Sequence, residues 1–267
     1  MDSSTTSNGN TFLSRFTGCY MDWIEQQKQD LDELNHALLT SANDDANLRV
    51  VIGRILDHFH DFLHRRLELV LIDAPTLLCK YWSSINLERS ILWMGECRPT
   101  MSIRLVLAIC RMETVASLLG GVRTGNLGEL DYYQLNSINT LLLKTVEDED
   151  ALHSKMASFQ ERTWDEPLIR IVRNANRVGE WTEEVSKALD VYAANLGDLL
   201  KEADKLRMDT LKDLVEILTP FQAVDMLISS KKLQLSLHGD TNTTTNNTNT
   251  NNTNTNNTNT NNTTTNN

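Results

Sequence analysis

The sequence predicts an all-α fold, a helical bundle of about six to eight helices between a disordered N-terminus and a disordered Asn/Thr-rich tail. Three observations predict it. Apolar side chains recur every three, four, seven or eight residues along most of the chain, the period of one helix face, and no stretch reads convincingly as a strand. Proline, a glycine pair and a Ser/Asn/Asp cluster cut this pattern into pieces of helical length. Residues 1–11 and 239–267 carry almost no apolar side chains, so neither can bury enough surface to offset the entropy of ordering. One helical domain is therefore expected over residues 12–238.

The first helix is expected from Phe12 to Leu39. Phe16, Tyr20, Trp23, Leu31, Leu34 and Leu38 share a face there, and Gln26 to Asp30 fall mostly on the other side. The cluster Ser41-Ala42-Asn43-Asp44-Asp45 breaks it. A second helix is expected from Asn47 to Ile72, with Ile52, Ile55, Phe59, Phe62, Leu63 and Leu69 as its stripe. Ala74-Pro75 should end it, because the residue before a proline is pushed out of the α region. A short helix capped by Ser84 or Asn86 carries Leu87, Ile91 and Trp93, and Gly95 suits its C-terminal cap. Arg98-Pro99 leads into a helix from Met101 to Leu119 that is apolar on most sides, the pattern of a central bundle helix; Gly120-Gly121 ends it. A fifth helix follows from Leu130 to Glu161, then a short one opening at Asp165-Glu166-Pro167, with a break near Gly179. The long helix from Glu180 to Leu218 carries a near-heptad stripe, Leu189, Tyr192, Leu196, Leu199, Ala203 and Leu206 among it, compatible with an internal seam or a homodimer. Thr219-Pro220 caps a last short helix to Ser229.

With 25 basic and 36 acidic residues the formal charge is -11. Such a chain exerts no long-range pull on phosphate backbones, which argues against DNA binding except through a local patch. The candidates are Arg49, Arg54, Arg65 and Arg66, or Arg162, Arg170, Arg173 and Arg177. Cys19, Cys79, Cys97 and Cys110 fit no zinc or redox spacing. No signal-peptide pattern is present and no apolar run reaches the ~20 residues of a membrane span, so nucleus and/or cytoplasm is expected. Gly120, Gly121 and Gly125 match no phosphate loop, and no nucleophile–base pair is readable, which points to a non-enzymatic protein. His60 and His64 stand one turn apart with His58 nearby, a spacing that can hold a metal. They lie opposite the Ile55/Phe59/Phe62 stripe, so a solvated face is expected and no metal site is assigned. The run Glu147-Asp148-Glu149-Asp150 reads as solvated too. Cys97, beside Arg98, reads as a buried packing residue.

Three blocks carry a resemblance to a known family. The first is Tyr20-Met21-Asp22-Trp23 with Gln26-Gln27. The second is Trp82-Ser83-Ser84 and Leu87-Glu88-Arg89 through Leu92-Trp93-Met94-Gly95 to Arg98-Pro99-Thr100. The third is Glu202-Ala203-Asp204-x-Leu206-Arg207-x-Asp209-Thr210-Leu211, followed by Leu218-Thr219-Pro220-x-Gln222-Ala223 and Lys231-Lys232-Leu233. Together they resemble the plant Delay of Germination domain family over nearly the whole helical part. The resemblance implies a regulatory protein tied to seed dormancy and abscisic-acid signalling, and kinship with the C-terminal domain of TGA-type leucine-zipper transcription factors. A basic region followed by a zipper is not found near the N-terminus here. The resemblance also implies binding of type 2C protein phosphatases through Tyr20, Met21, Asp22 and Trp23, and haem binding through two C-terminal histidines. Both carry a departure: the family's acidic residue two places before the tyrosine is Gly18, and its first histidine is Gln234, leaving His238.

Overall fold

The computed structural model describes residues 4–79, 92–119, 126–165, 169, 173 and 183–248. Among these, six α-helices follow one another: α1 Ser4–Ser41, α2 Asp45–Cys79, α3 Pro99–Leu118, α4 Tyr132–Thr163, α5 Glu183–Ile217 and α6 Pro220–Thr248. A single 3-10 turn, Leu127–Glu129, precedes α4. The only strand-like pairing among the described residues is an isolated bridge between Trp93 and Glu96. The expected all-α bundle is the fold. The expected helix starts at Ser84 or Asn86, the Gly120-Gly121 stop, the helix opening at Asp165-Glu166-Pro167 and the Gly179 break fall wholly or mainly outside the described residues.

Local chemistry sets the boundaries. In α2 the helix breaks at Asp73, whose φ of -154° and ψ of 78° are not helical, one residue past the expected end. The Asp73 carboxylate accepts from the Thr76 N–H at 3.1 Å and from its hydroxyl at 2.6 Å, so the chain is recapped and resumes to Cys79. Pro75 then sits in a first turn, where its missing N–H costs nothing. α4 opens on a capping box in which Asp131 and Gln134 satisfy each other's backbone. Thr219 and Gln222 do the same for α6.

Three expectations need correction. α1 starts at Ser4 rather than Phe12, and α6 runs to Thr248, so helix covers part of each terminal segment expected to be disordered. The last helix is long, not short: beyond Ser229, Lys231 and Leu235 continue its inner face against α1. α3 is not central. Only Ile103 and Val106 of its aliphatic side chains are buried, while Met112, Val115 and Leu118 stay exposed. An all-round apolar helix can be peripheral when its surroundings offer only one surface to pack against. The near-heptad stripe of α5, by contrast, is spent inside the chain. Leu196, Leu199, Leu200, Ala203 and Leu214 are all buried within it.

The apolar interior is divided in two. One core joins Phe16, Tyr20, Trp23 and Ile24 of α1 to Phe62 and Leu69 of α2 and to Leu196–Met208 of α5. The other joins Leu34 of α1 to Leu48–Ile55 of α2, Ile103 of α3, Ile138 of α4, Leu214 of α5 and Ala223–Ile228 of α6. Between Ile24 and Leu34 on α1, the buried residues are Gln27 and Asp30. Lys231 follows Ile228 on α6, and Asp204 and Arg207 stand just before Leu214 on α5. A polar layer therefore separates the two cores.

Candidate functional site

The Trp93–Glu96 segment is a tight turn. Trp93 and Glu96 exchange both backbone hydrogen bonds, at 2.7 and 3.1 Å. Met94 and Gly95 both take positive φ, 46° and 80°. Glycine is required at the second position: a Cβ on Gly95 would lie 2.5 Å from Arg66 Nη2 and from Leu77 Cδ2. The turn's carbonyls face two guanidiniums. Arg66 of α2 donates to Met94 O at 3.0 Å and, through Nη1, to both oxygens of Asp204. Arg207 of α5 donates to Cys97 O at 2.8 Å, to Asp204 Oδ1 at 2.6 Å and to Trp93 O, and its guanidinium lies 5.2 Å from the Trp93 ring centre. Burial pulls Arg207 below the ordinary arginine range, and Asp204 opposes that pull. Trp93 Nε1 donates to His153 Nε2 at 2.7 Å, tying the turn to α4.

The same segment is capped by α4. Glu149 accepts from Thr100 N at 2.9 Å and from Arg98 Nε at 3.1 Å, supplying a carboxylate to the open N-terminus of α3. Glu149 is buried, so the reading of Glu147–Asp150 as a solvated run is wrong for this residue. Cys97 is exposed, which corrects its reading as a packing residue.

A second cluster lies between α1, α2 and α6. Lys231 Nζ donates to Asp30 Oδ2 at 2.7 Å and to Gln27 Oε1 at 3.1 Å, and stands 5.7 Å from the Trp23 ring centre. Burial pushes its ammonium below the ordinary lysine range, with Asp30 pulling the other way. Asp30 Oδ1 also accepts from Gln26 Nε2 at 2.9 Å and from His58 Nδ1 at 2.8 Å. His58 is therefore half-buried and engaged, while His60 and His64 are exposed. No group of metal-holding residues forms among the described residues.

Between the two clusters is a cavity of about 110 Å³. Trp23 and Gln27 come from the first block, Glu96 to Pro99 from the second, Arg207 and Leu211 from the third, and Lys231 and Gln234 from α6. The blocks that carry the family resemblance thus meet around one space. The sequence reading quoted Gln27, Asp204 and Arg207 within the blocks but did not assign them, or Asp30 beside them, to a buried polar layer. A signal was present: Trp23, Gln27, Asp30 and Leu34 step by four, three and four, so polar side chains stood on the apolar face of α1.

The first-helix quartet divides. Tyr20 and Trp23 are buried, Trp23 stacking on Phe62 with ring centres 4.5 Å apart, so neither is an exposed anchor. Met21 and Asp22 face outward, and Gly18 shares that face with open space around it. Of the basic candidates, Arg66 is buried, Arg54 pairs with Glu33 at 3.1 Å and Arg65 lies 3.7 Å from Asp22. Arg170 and Arg177 lie outside the described residues. His238 packs edge-on against Tyr20 with ring centres 5.9 Å apart, and Gln234, one turn earlier, lines the cavity. A carboxamide is not an axial haem ligand, so the residues present do not fit a two-histidine haem site.

Fold and site together define an all-helical domain whose shared sequence blocks serve one internal polar layer. Comparison with known proteins names that class. The profile of the seed dormancy control family, DOG1, matches residues 30–108. Arabidopsis thaliana Protein DOG1-like 2 is 33% identical over 230 residues, covering 82% of this chain and 87% of the relative. Protein DOG1-like 1 from the same plant is 36% identical over 243 residues, covering 82% and 86%. Arabidopsis transcription factor TGA2 is 24% identical over 230 residues, covering 85% of this chain but 63% of TGA2. The chain belongs to the DOG1 family. No helix among the described residues is long and apolar enough to cross a membrane.

Proposed function

We propose that this protein is a non-enzymatic regulator in seed dormancy and abscisic-acid signalling. It acts in the nucleus and/or cytoplasm by binding other proteins, with type 2C phosphatases or similar partners as the first candidates. The observation that carries the reading is the family likeness over the greater part of the chain. The outer face of α1 supports a contact there, since Met21 and Asp22 are exposed beside Gly18. The buried aromatics of the quartet support it indirectly, by fixing the rotation of α1 so that this face points out.

The test is direct binding of the purified chain to a type 2C phosphatase by calorimetry. Replacing Met21→Glu together with Asp22→Lys is expected to weaken binding about tenfold or more, as loss of a central contact does, with an unchanged melting temperature. Restoring an acid with Gly18→Glu is expected to tighten it. A wild-type chain that binds no such phosphatase sinks the proposal. The likeness to TGA2 favours a second reading, transcription-related regulation through DNA. Salt-dependent retardation of a DNA fragment that is lost in an Arg49→Glu, Arg65→Glu variant would support it, and no retardation would remove it.

A further inference from the structure

The cavity between the two charge clusters holds two polar atoms without a protein partner. Gln27 is 3% exposed and Glu96 is 5% exposed. Gln27 uses its oxygen for Lys231, and Glu96 uses one oxygen for the Cys97 N–H at 3.2 Å. Gln27 Nε2 and Glu96 Oε2, both buried, are bonded to no other protein group, and both residues line the cavity. A buried donor or acceptor left unmade is costly, so such groups are normally satisfied by something. Here the requirement is complementary: the amide needs an acceptor and the carboxylate needs a donor.

The remaining walls set the rest of the chemistry. Trp23 and Phe59 give an aromatic side, and Leu211 and Leu227 an aliphatic one. The cations on the lining are already committed, Lys231 to Asp30, Arg207 to Asp204 and Arg98 to Glu149. The uncommitted charge is the Glu96 oxygen, which would repel an anion. At about 110 Å³ the space is somewhat smaller than the ~150 Å³ apolar cavities that take benzene. One small ring or a similar planar group, reaching towards the open side at Cys97, is the most it would take.

We propose that this cavity is a binding site for a small, uncharged, planar molecule presenting one hydrogen-bond donor and one acceptor. The donor meets Glu96 Oε2, the acceptor meets Gln27 Nε2, and the ring lies against Trp23 and Phe59. This site is separate from the outer face of α1 and stands whether or not phosphatases bind there. Exposed Cys97 is one of its lining residues, so occupancy is readable from the reactivity of that thiol.

The probe is 2-pyridone, whose N–H and carbonyl are adjacent on one ring, titrated into the full chain by saturation-transfer NMR. A dissociation constant of about 1 mM is expected for so small a molecule. N-methyl-2-pyridone, which lacks the donor, is expected to bind at least about tenfold more weakly, because it strands the carboxylate. Ser102→Trp fills the cavity from α3 and is expected to abolish binding while the far-ultraviolet dichroism and melting temperature show the fold intact. Alkylation of Cys97, followed on its tryptic peptide, is expected to slow in step with occupancy. No binding at saturating probe overturns the proposal, as does equal binding of the N-methyl compound. Where Ser102→Trp fails to fold, the N-methyl comparison decides alone.

Discussion

The two buried charge clusters sit on opposite sides of one cavity and solve the same problem differently. Around Asp204 the cations are two guanidiniums, and the excess positive charge is met by the carbonyls of Trp93, Met94 and Cys97. Around Asp30 the cation is one ammonium, and the second carboxylate oxygen is met by Gln26 and His58. The first cluster's cations are guanidiniums, and beside the Asp204 carboxylate their acceptors are backbone carbonyls. It fixes the path of the chain between α2 and α3. The second is made only of side chains, one of them a lysine whose proton is loosened by burial. It fixes how α6 lies on α1. Buried ion pairs of either kind give little net stability over an apolar replacement, so the difference lies in what each one specifies.

Removing the centre of the first cluster should have the largest effect. Asp204→Ala leaves two guanidiniums buried without their carboxylate, and a loss of about 3–5 kcal/mol is expected in urea unfolding. A loss under about 1 kcal/mol would show that the carbonyls alone satisfy Arg66 and Arg207, and the comparison would collapse. Gly95→Ala attacks the same cluster from the backbone. The positive φ and the contacts at 2.5 Å with Arg66 Nη2 and Leu77 Cδ2 lead to an expected loss of about 2–4 kcal/mol. Trp93 fluorescence near His153 is expected to change with it.

The second cluster should be softer. Lys231→Met leaves Asp30 with Gln26 and His58 as partners, and a loss of about 1–3 kcal/mol is expected. The pH dependence separates the clusters further. The folded-state pKa of Lys231 lies below the ordinary 10.5, so in the window beneath that value the unfolded chain binds more protons. Wild-type stability attributable to this group therefore rises as pH rises through that window. Denaturation measured at steps from neutral to alkaline pH is expected to show the rise in wild type and its absence in Lys231→Met. Equal slopes would mean that Lys231 is not buried as described.

How much of this was legible in the sequence follows from the physics of each part. Helix faces and stops were readable because periodicity and proline act locally; the break at Asp73 fell one residue from the expected end. The position of α3 was not, since Met112, Val115 and Leu118 look identical in sequence whether they meet a neighbour or solvent. The clusters were half visible. Asp30 and Arg207 stood on apolar faces, but their partners are far away in sequence, Asp30 with Lys231 and Arg207 with the Trp93 turn. Glu149 was misread because a four-residue acidic run gives no hint that the α3 N-terminus lies against one of its members. The family blocks located the site better than any spacing rule, because residues from all three of them line the same cavity.

The smallest expected effect concerns His238, at the far end of the Lys231 side. Burial, and then the Lys28 charge, hold its pKa below the ordinary 6.5. As pH falls, the unfolded chain takes up this proton first, so the stability present above about 6.5 is lost as pH drops towards the folded value. The ring is only half-buried, so the change is expected to be slight and to appear as a slope rather than a collapse. In His238→Leu the acid-side slope should flatten, while packing against Tyr20 is largely kept by the aliphatic side chain. An unchanged slope would mean that the ring does not dock on Tyr20. A flattened slope in a variant that otherwise folds and melts normally would assign His238 to packing, with the neutral ring as its working form. The second cluster's reach along α6 would then extend two turns beyond Lys231, and the contrast with the backbone-locked first cluster would be complete along the helix.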